Sequence, residues 1–236
     1  AQGYRAGKPM YSHVEQIPAS VQDSLRAEAV AMAKNADVVI MVGGLNKNHQ
    51  QDCEAGDRES YALPFGQPEL IEALQAANPN IIVLLLSGNA VEMPWADKVP
   101  AIAQAWYLGS MAGKSIANVV SGKVNPSGKL PFSFPVRLED NGAHSFGAIS
   151  YPGDSINQEY LEDILVGYRW HDTKKIPARY SFGHGLSYTS FDYGKPVASA
   201  KTIGSDESLT ITIPVRNTGD RDGKETVQLY IGDDKA

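Results

Sequence analysis

A single cysteine, Cys53, stands among 236 residues. It rules out an internal disulfide and any cysteine-rich metal site, and it leaves cytosol, periplasm and secretion equally open. Long apolar runs are also missing. The longest, Ile81 to Leu86, falls far short of the roughly 20 residues that cross a bilayer as a helix, so no membrane span is expected. No block of Lys or Arg is present to track a phosphate backbone, and acids and bases interleave to a net charge of -6, so nucleic acid is not an expected partner. No paired-histidine spacing calls for a metal, and no cofactor is expected. The Gly-x-Ser-x-Gly elbow of serine hydrolases is absent. Val42-Gly43-Gly44 follows a strand-like run but lacks both the spaced glycines of a dinucleotide fingerprint and the Gly-Lys-Ser/Thr of a P-loop. The chain starts at Ala1 without an initiator Met, basic n-region or apolar h-region, so a processing or cloning boundary is expected there.

What is present has the rhythm of an α/β protein. Val21, Leu25, Ala29 and Met32 recur at helical spacing behind Ser20, with Asp23 completing a capping box. Asp37 to Val42 follows as an unbroken apolar strand, expected to be buried on both faces. The cycle repeats with Leu70, Ile71, Leu74 and Ala77 on one helical face, then a second buried strand from Asn80 to Leu86. A third round covers Ala101 to Trp106, Ser110 to Val120 and Leu130 to Phe134. Such alternation predicts right-handed crossovers in a doubly wound α/β sandwich with a mostly parallel sheet. Ligands of such sheets sit beyond the carboxyl ends of the strands, which places Gly43 to Arg58 and Ser87 to Trp95 on the functional rim. Val136 to Phe182 is irregular and predicts wrapping loops or a short hairpin. From Phe191 the period changes to two, in Ser208 to Val215 and Thr226 to Ile231, around an Asn217-Thr-Gly-Asp turn. Half-buried antiparallel strands follow from that alternation. Two or three strands do not close a β-sandwich, so the expected organisation is residues 1–190 as the α/β sandwich and 191–236 as a truncated, partial antiparallel β-sandwich module.

The densest polar cluster on the predicted rim is Gly44 to Arg58, with three carboxylates, Asp52, Glu54 and Asp57, beside Arg58 and one histidine. A Glu on a rim loop serves as general acid and base when burial or a like charge raises its pKa, and a neighbouring Asp-Arg pair can stiffen the loop. A solvated acidic loop is the plain alternative. Glu92 and Asp97 are further rim acids and second choices for the acid role. Trp95, Trp106 and Trp170 could stack on a sugar face or fill the core. His184, between two glycines, reads as a packed turn histidine, and Asn125-Pro-Ser-Gly128 as a turn without a substrate role.

The succession Glu54-Ala-Gly-Asp57-Arg58, Leu63-Pro64 and Gln67-Pro-Glu-Leu70-Ile71 resembles the glycoside hydrolase family 3 pattern Glu-Gly-x-Asp-Arg, Leu-Pro, Gln-x-x-Leu-Ile, with Ala55 where the family commonly has Gly. Ser87 to Trp95, Gly122-Lys-Val-Asn-Pro-Ser-Gly-Lys-Leu-Pro131 and Gly167-Tyr-Arg-Trp-His-Asp172 followed by Phe182-Gly-His-Gly-Leu-Ser-Tyr188 resemble three further stretches of that family, in the same order. The resemblance implies a retaining β-glucosidase that acts on β-linked glucosides or oligosaccharides, with Glu54 as acid/base and Asp52, Asp57 and Arg58 supporting the loop or lying near substrate. It also implies that the nucleophilic Asp lies in an N-terminal barrel outside this chain, that the 236-residue chain alone is inactive, and that residues 191–236 begin a fibronectin type III-like domain. Periplasmic or secreted placement follows from the same resemblance. A β-xylosidase specificity and a non-catalytic carbohydrate-binding or scaffold module are the alternatives.

Overall fold

A computed structural model describes residues 18–46, 51–53, 56–58, 60–154 and 156–232. In chain order its elements are α1 (Ala19–Ala33), β1 (Val39–Gly44), β2 (Asp52–Cys53), β3 (Gly56–Asp57), α2 (Gln67–Ala77), β4 (Ile81–Leu86), β5 (Ala101–Gln104), α3 (Ala112–Val120), β6 (Phe134–Pro135), α4 (Tyr168–Lys174), β7 (Ala178–Tyr180), β8 (Phe191–Tyr193), β9 (Val197–Ala198), β10 (Ile211–Thr212) and β11 (Val215–Asn217), with short 3-10 turns between them. Two compact units form, residues 1–112 with 133–180, and residues 113–132 with 181–236. No helix among the described residues is long and apolar enough to cross a membrane.

The first unit is built on the parallel sheet β1-β4-β5. β4 is the middle strand, and its Ile81, Val83, Leu84 and Leu85 are buried almost completely, as expected of a β-rich apolar run with neighbours on both edges and cover on both faces. The helix α2 packs on β1 and β4 through Ile71 and Leu74. Its first residue, Gln67, closes the end of β1: the side-chain amide donates to the carbonyls of Gly44 (2.9 Å) and Pro64 (3.1 Å), while its oxygen accepts the Gly44 N–H (2.7 Å). Gly44 has φ +130°, and a Cβ there would run into the Leu86 carbonyl. The glycine is therefore required where β1 ends beside β4. Asn78, buried at the far end of α2, donates to the carbonyls of Ala33 and Ala36 and accepts from Asn80 N–H, tying α1 to the entry of β4.

Several expectations change at this level. β1 buries Met41 but leaves Ile40 (51%) and Val42 exposed, because α2 covers one face and no described element covers the other. α1 starts at Ala19 with Pro18 at its N-cap and no side-chain cap, so Ser20 and Asp23 form no capping box; Asp23 pairs with Arg26 instead (3.1 Å). Val21, Leu25 and Met32 (69%) are exposed, while Gln22, Arg26, Ala29, Val30 and Ala33 form the less exposed side of α1. Leu130 to Phe134 is not a further parallel strand. Pro131 lacks the N–H a ladder needs, and only Phe134–Pro135 pairs, antiparallel, with β7.

The second unit joins two stretches far apart in sequence. Leu130 N–H donates to the His184 carbonyl and Gly183 N–H returns to the Leu130 carbonyl, each at 2.8 Å. Asn125 accepts from Ser187 Oγ and Tyr188 N–H and donates to the Asp222 carbonyl. Lys129 Nζ reaches the Gly185 carbonyl (2.7 Å) and the Glu225 carboxylate (3.1 Å). The NPSGKLP and FGHGLSY stretches are therefore partners of one another. β8 pairs with β11 and β9 with β10, both antiparallel. These strands are shorter than the period-two runs, since Pro214 breaks the 208–215 run between β10 and β11. They are also largely exposed, and Thr226 to Ile231 forms no ladder among the described residues, with Ile231 at 93% exposure.

The core predicts a contrast in urea denaturation: Leu85→Ala in β4 is expected to cost about 2–5 kcal/mol, whereas Met32→Ala on the exposed side of α1 is expected to change stability by less than about 0.5 kcal/mol.

Candidate active site

The parallel strands β1, β4 and β5 deliver three connections to the same rim. β4 ends at Leu86 and enters a turn held from within. Ser87 is fully buried, its hydroxyl donates to the Asn89 carbonyl (2.7 Å), and Gln104 at the end of β5 donates to both the Ser87 hydroxyl (2.9 Å) and its carbonyl (3.1 Å). The 87–90 turn is thus fixed to two strands before it meets anything else.

Onto this turn the loop after β1 folds as a short hairpin. β2 and β3 pair antiparallel in the register Asp52↔Asp57 and Cys53↔Gly56. Glu54 falls between the two strands in sequence and lies outside the described residues, while Asp57 is described through its backbone in β3 alone. Both feet of the hairpin are anchored. Asp52 Oδ2 accepts the Gly88 N–H (2.6 Å) and the Tyr107 hydroxyl (2.7 Å), and Oδ1 accepts Asn89 Nδ2 (3.1 Å). Arg58, just past β3, donates through Nη2 to Asn89 Oδ1 (2.7 Å) and the Ala90 carbonyl (2.9 Å). The two members of the cluster that the structure describes in full, Asp52 and Arg58, therefore bind one turn, both of them through Asn89. Charge-assisted bonds of this kind are the stronger class.

A cavity of about 470 Å³ opens at this point, lined in part by Asp52, Arg58, Asn89, Tyr107, His144 and Tyr151. The size is that of a small-molecule site, and the lining mixes carboxylate, guanidinium, amide and aromatic rings. Two buried donors, Arg58 Nη1 and Gln51 Nε2, have no hydrogen-bond partner among the described residues. Burial pushes the Arg58 guanidinium below its ordinary value, against the pull of Asp52. Burial, the hydrogen bond to Asp52 and the Asp52 charge hold the Tyr107 phenol above its ordinary range, so it remains a donor at neutral pH. Burial likewise lowers the pKa of His144 and leaves its imidazole neutral near pH 7. No group of three His, Cys, Asp or Glu side chains suited to a metal occurs among the described residues.

The other candidates lie elsewhere. Asp97 pairs with Arg179 (2.7 Å), and neither Asp97 nor Glu92 lines the cavity. Trp95 is completely buried. Trp170 is buried with its indole N–H on the Asp140 carbonyl (3.1 Å), and Trp106 packs edge-on against Phe134. Two of the three tryptophans are thus core residues without an open face. Tyr107 carried no signal as an isolated residue. It follows β5 by three positions, and the strand-end rule applied to the third strand as to the first two marks it.

The profile of the Glycosyl hydrolase family 3 C-terminal domain matches residues 1–188. The chain belongs to glycoside hydrolase family 3. Among family members, β-glucosidase BoGH3A of Bacteroides ovatus is 61% identical over 235 residues, covering 100% of this chain and 32% of that protein. A β-glucosidase of Rhizobium radiobacter is 44% identical over 205 residues, 87% of this chain and 25% of the relative. The crystal structure of DesR, a β-glucosidase from Streptomyces venezuelae in complex with D-glucose, superposes with a TM-score of 0.78 at 40% identity, covering 87% of this chain and 25% of that one. The chain therefore spans a third or less of the length of these family 3 relatives and carries the family's C-terminal domain.

The anchoring of the hairpin generates a stability prediction. Arg58→Met is expected to leave Asn89 Oδ1 and the Ala90 carbonyl without their donor and to cost about 1–3 kcal/mol, read as a lower urea midpoint. Arg58→Lys is expected to recover only part of it, since one ammonium does not reproduce the planar fork.

Proposed function

We propose that this chain supplies the general acid/base, Glu54, to a retaining β-glucosidase that removes terminal non-reducing β-D-glucosyl residues from glucosides or oligosaccharides in the periplasm or outside the cell. The observation that carries this reading is the hairpin pinned at Asp52 and Arg58, with Glu54 between its strands in sequence, beside a cavity at the carboxyl ends of a parallel sheet. The names of the family 3 relatives support the reaction and the sugar. In a retaining glycosidase two carboxyl groups stand about 5–5.5 Å apart. One attacks the anomeric carbon, and the other protonates the leaving oxygen and then takes a proton from water. Glu54 takes the second role, with Asp52, Asp57 and Arg58 supporting its loop. The nucleophilic Asp belongs to an N-terminal barrel supplied by the rest of the enzyme, and the exposed apolar side chains of α1 and β1 support the reading that more protein covers this unit. Residues 1–190 form the family's α/β sandwich domain, and 191–236 begin a fibronectin type III-like domain.

The test replaces the matched 235-residue segment of the Bacteroides ovatus enzyme by this chain. The chimera is expected to hydrolyse aryl and alkyl β-glucosides, and the 236-residue chain alone to hydrolyse neither. Glu54→Gln in the chimera is expected to lower kcat/KM by about 10²–10⁴-fold on glucosides with poor leaving groups and far less on dinitrophenyl glucoside, whose leaving group needs no proton. Equal activity of wild type and Glu54→Gln on every substrate would place the acid elsewhere, and turnover by the isolated chain would remove the need for a second domain.

A further inference from the structure

We propose that Tyr107 is a positioning residue for the acid/base, acting through Asp52 on the hairpin that bears Glu54; the proposal rests on the reading of Glu54 given above. The hairpin's contacts divide by origin. Gly88 N–H, Asn89 Nδ2, Asn89 Oδ1 and the Ala90 carbonyl all belong to one short turn after β4. Asp52 N–H also donates to the Asn46 carbonyl (3.0 Å) on the chain leading in from β1, which holds the backbone but leaves the carboxylate to the turn and to Tyr107. The Tyr107 hydroxyl is the described contact to the Asp52 carboxylate that comes from outside that turn, reaching Oδ2 at 2.7 Å from the connection after β5. It ties the side chain of Asp52 to a second strand end.

The fit around this point is tight. Gly88 has no side chain, and a Cβ there would stand 3.3 Å from both Asp52 Oδ2 and the Tyr107 ring, closer than most such contacts, so the turn, the carboxylate and the phenol meet without spare room. Asp52 accepts three donors on two oxygens, and rotating the carboxylate to serve one better costs another. Asp52 stands two residues before Glu54, and displacing a reacting group by about 1 Å costs on the order of 10²-fold in rate. A small rocking at Asp52 is therefore amplified into the chemistry. Tyr107 is half exposed, with its ring on the cavity wall, so Tyr107→Phe removes the hydroxyl without opening a hole in the core.

The experiment uses the chimera and a series of aryl β-glucosides from dinitrophenyl to phenyl, together with methyl β-glucoside. Tyr107→Phe is expected to lower kcat/KM about tenfold on the phenyl and methyl glucosides and less than about twofold on dinitrophenyl glucoside, since a misplaced acid matters only where the leaving group needs a proton. Its thermal midpoint is expected to stay near that of wild type. On an Asp52→Ala background the same change is expected to add nothing, because Tyr107 acts through that carboxylate. A loss equal across all leaving groups, or losses that multiply in the double variant, would overturn the proposal by showing a general structural role or a separate action. If Glu54→Gln shows the leaving-group dependence and Tyr107→Phe does not, the positioning role falls and the acid/base reading stands. If Glu54→Gln shows none, both fall.

Discussion

The burial of β4 between two parallel neighbours is the constraint on which the rest of the first unit depends. Val83 and Leu85 are inaccessible to solvent, as is Ile71 on α2, and the ladder to β1 runs unbroken through six residue pairs. A strand so enclosed cannot slide without exposing apolar surface and breaking hydrogen bonds on both edges. Its carboxyl end is consequently a fixed point. Ser87, Gly88, Asn89 and Ala90 inherit that fixity, and the polar contacts of the hairpin are made to them.

This hierarchy explains why charged groups at a partly open rim hold a defined geometry. Exposed ion pairs contribute little and move freely. Asp52 and Arg58 make no ion pair with one another; each binds backbone and amide groups of a turn already immobilised by Ser87 and Gln104. Order passes outward from the apolar core, through a buried hydroxyl, to the turn and then to the hairpin. In the second unit the same logic uses other residues: Asn125 and Lys129 hold the 181–188 stretch by its backbone, so these two family motifs serve as joints.

The elements most legible in the sequence were those that bury the apolar side chains the pattern marked. β4 and α2 lie where the apolar run and the helical period placed them, and the rim after β1 and β4 carries the anchored hairpin and its turn. The less legible ones are amphipathic or edge elements. For α1, the period shows that a helix exists but not which stripe meets a neighbour, and the less exposed stripe is Gln22, Arg26, Ala29, Val30 and Ala33 rather than Val21, Leu25 and Met32. In β1, an unbroken apolar run matches a strand covered on both faces equally well as one covered on a single face. Leu130 to Phe134 has strand-like composition, yet Pro131 within it offers no N–H, and only its end, Phe134 with Pro135, joins a two-residue antiparallel ladder.

By itself the sequence determined the α/β alternation, the family and the loop on which the chemistry is proposed to ride, because these depend on local period and on motifs contiguous along the chain. The strand-end rule put Asp52, Arg58 and Asn89 on one rim, but the tertiary structure alone decided that they meet one another and Tyr107 in hydrogen bonds. Those residues span 56 positions, from 52 to 107, and nothing in their spacing encodes a meeting. Only the parallel pairing of β1, β4 and β5, which sends all three strand ends to the same edge, brings them within hydrogen-bonding reach.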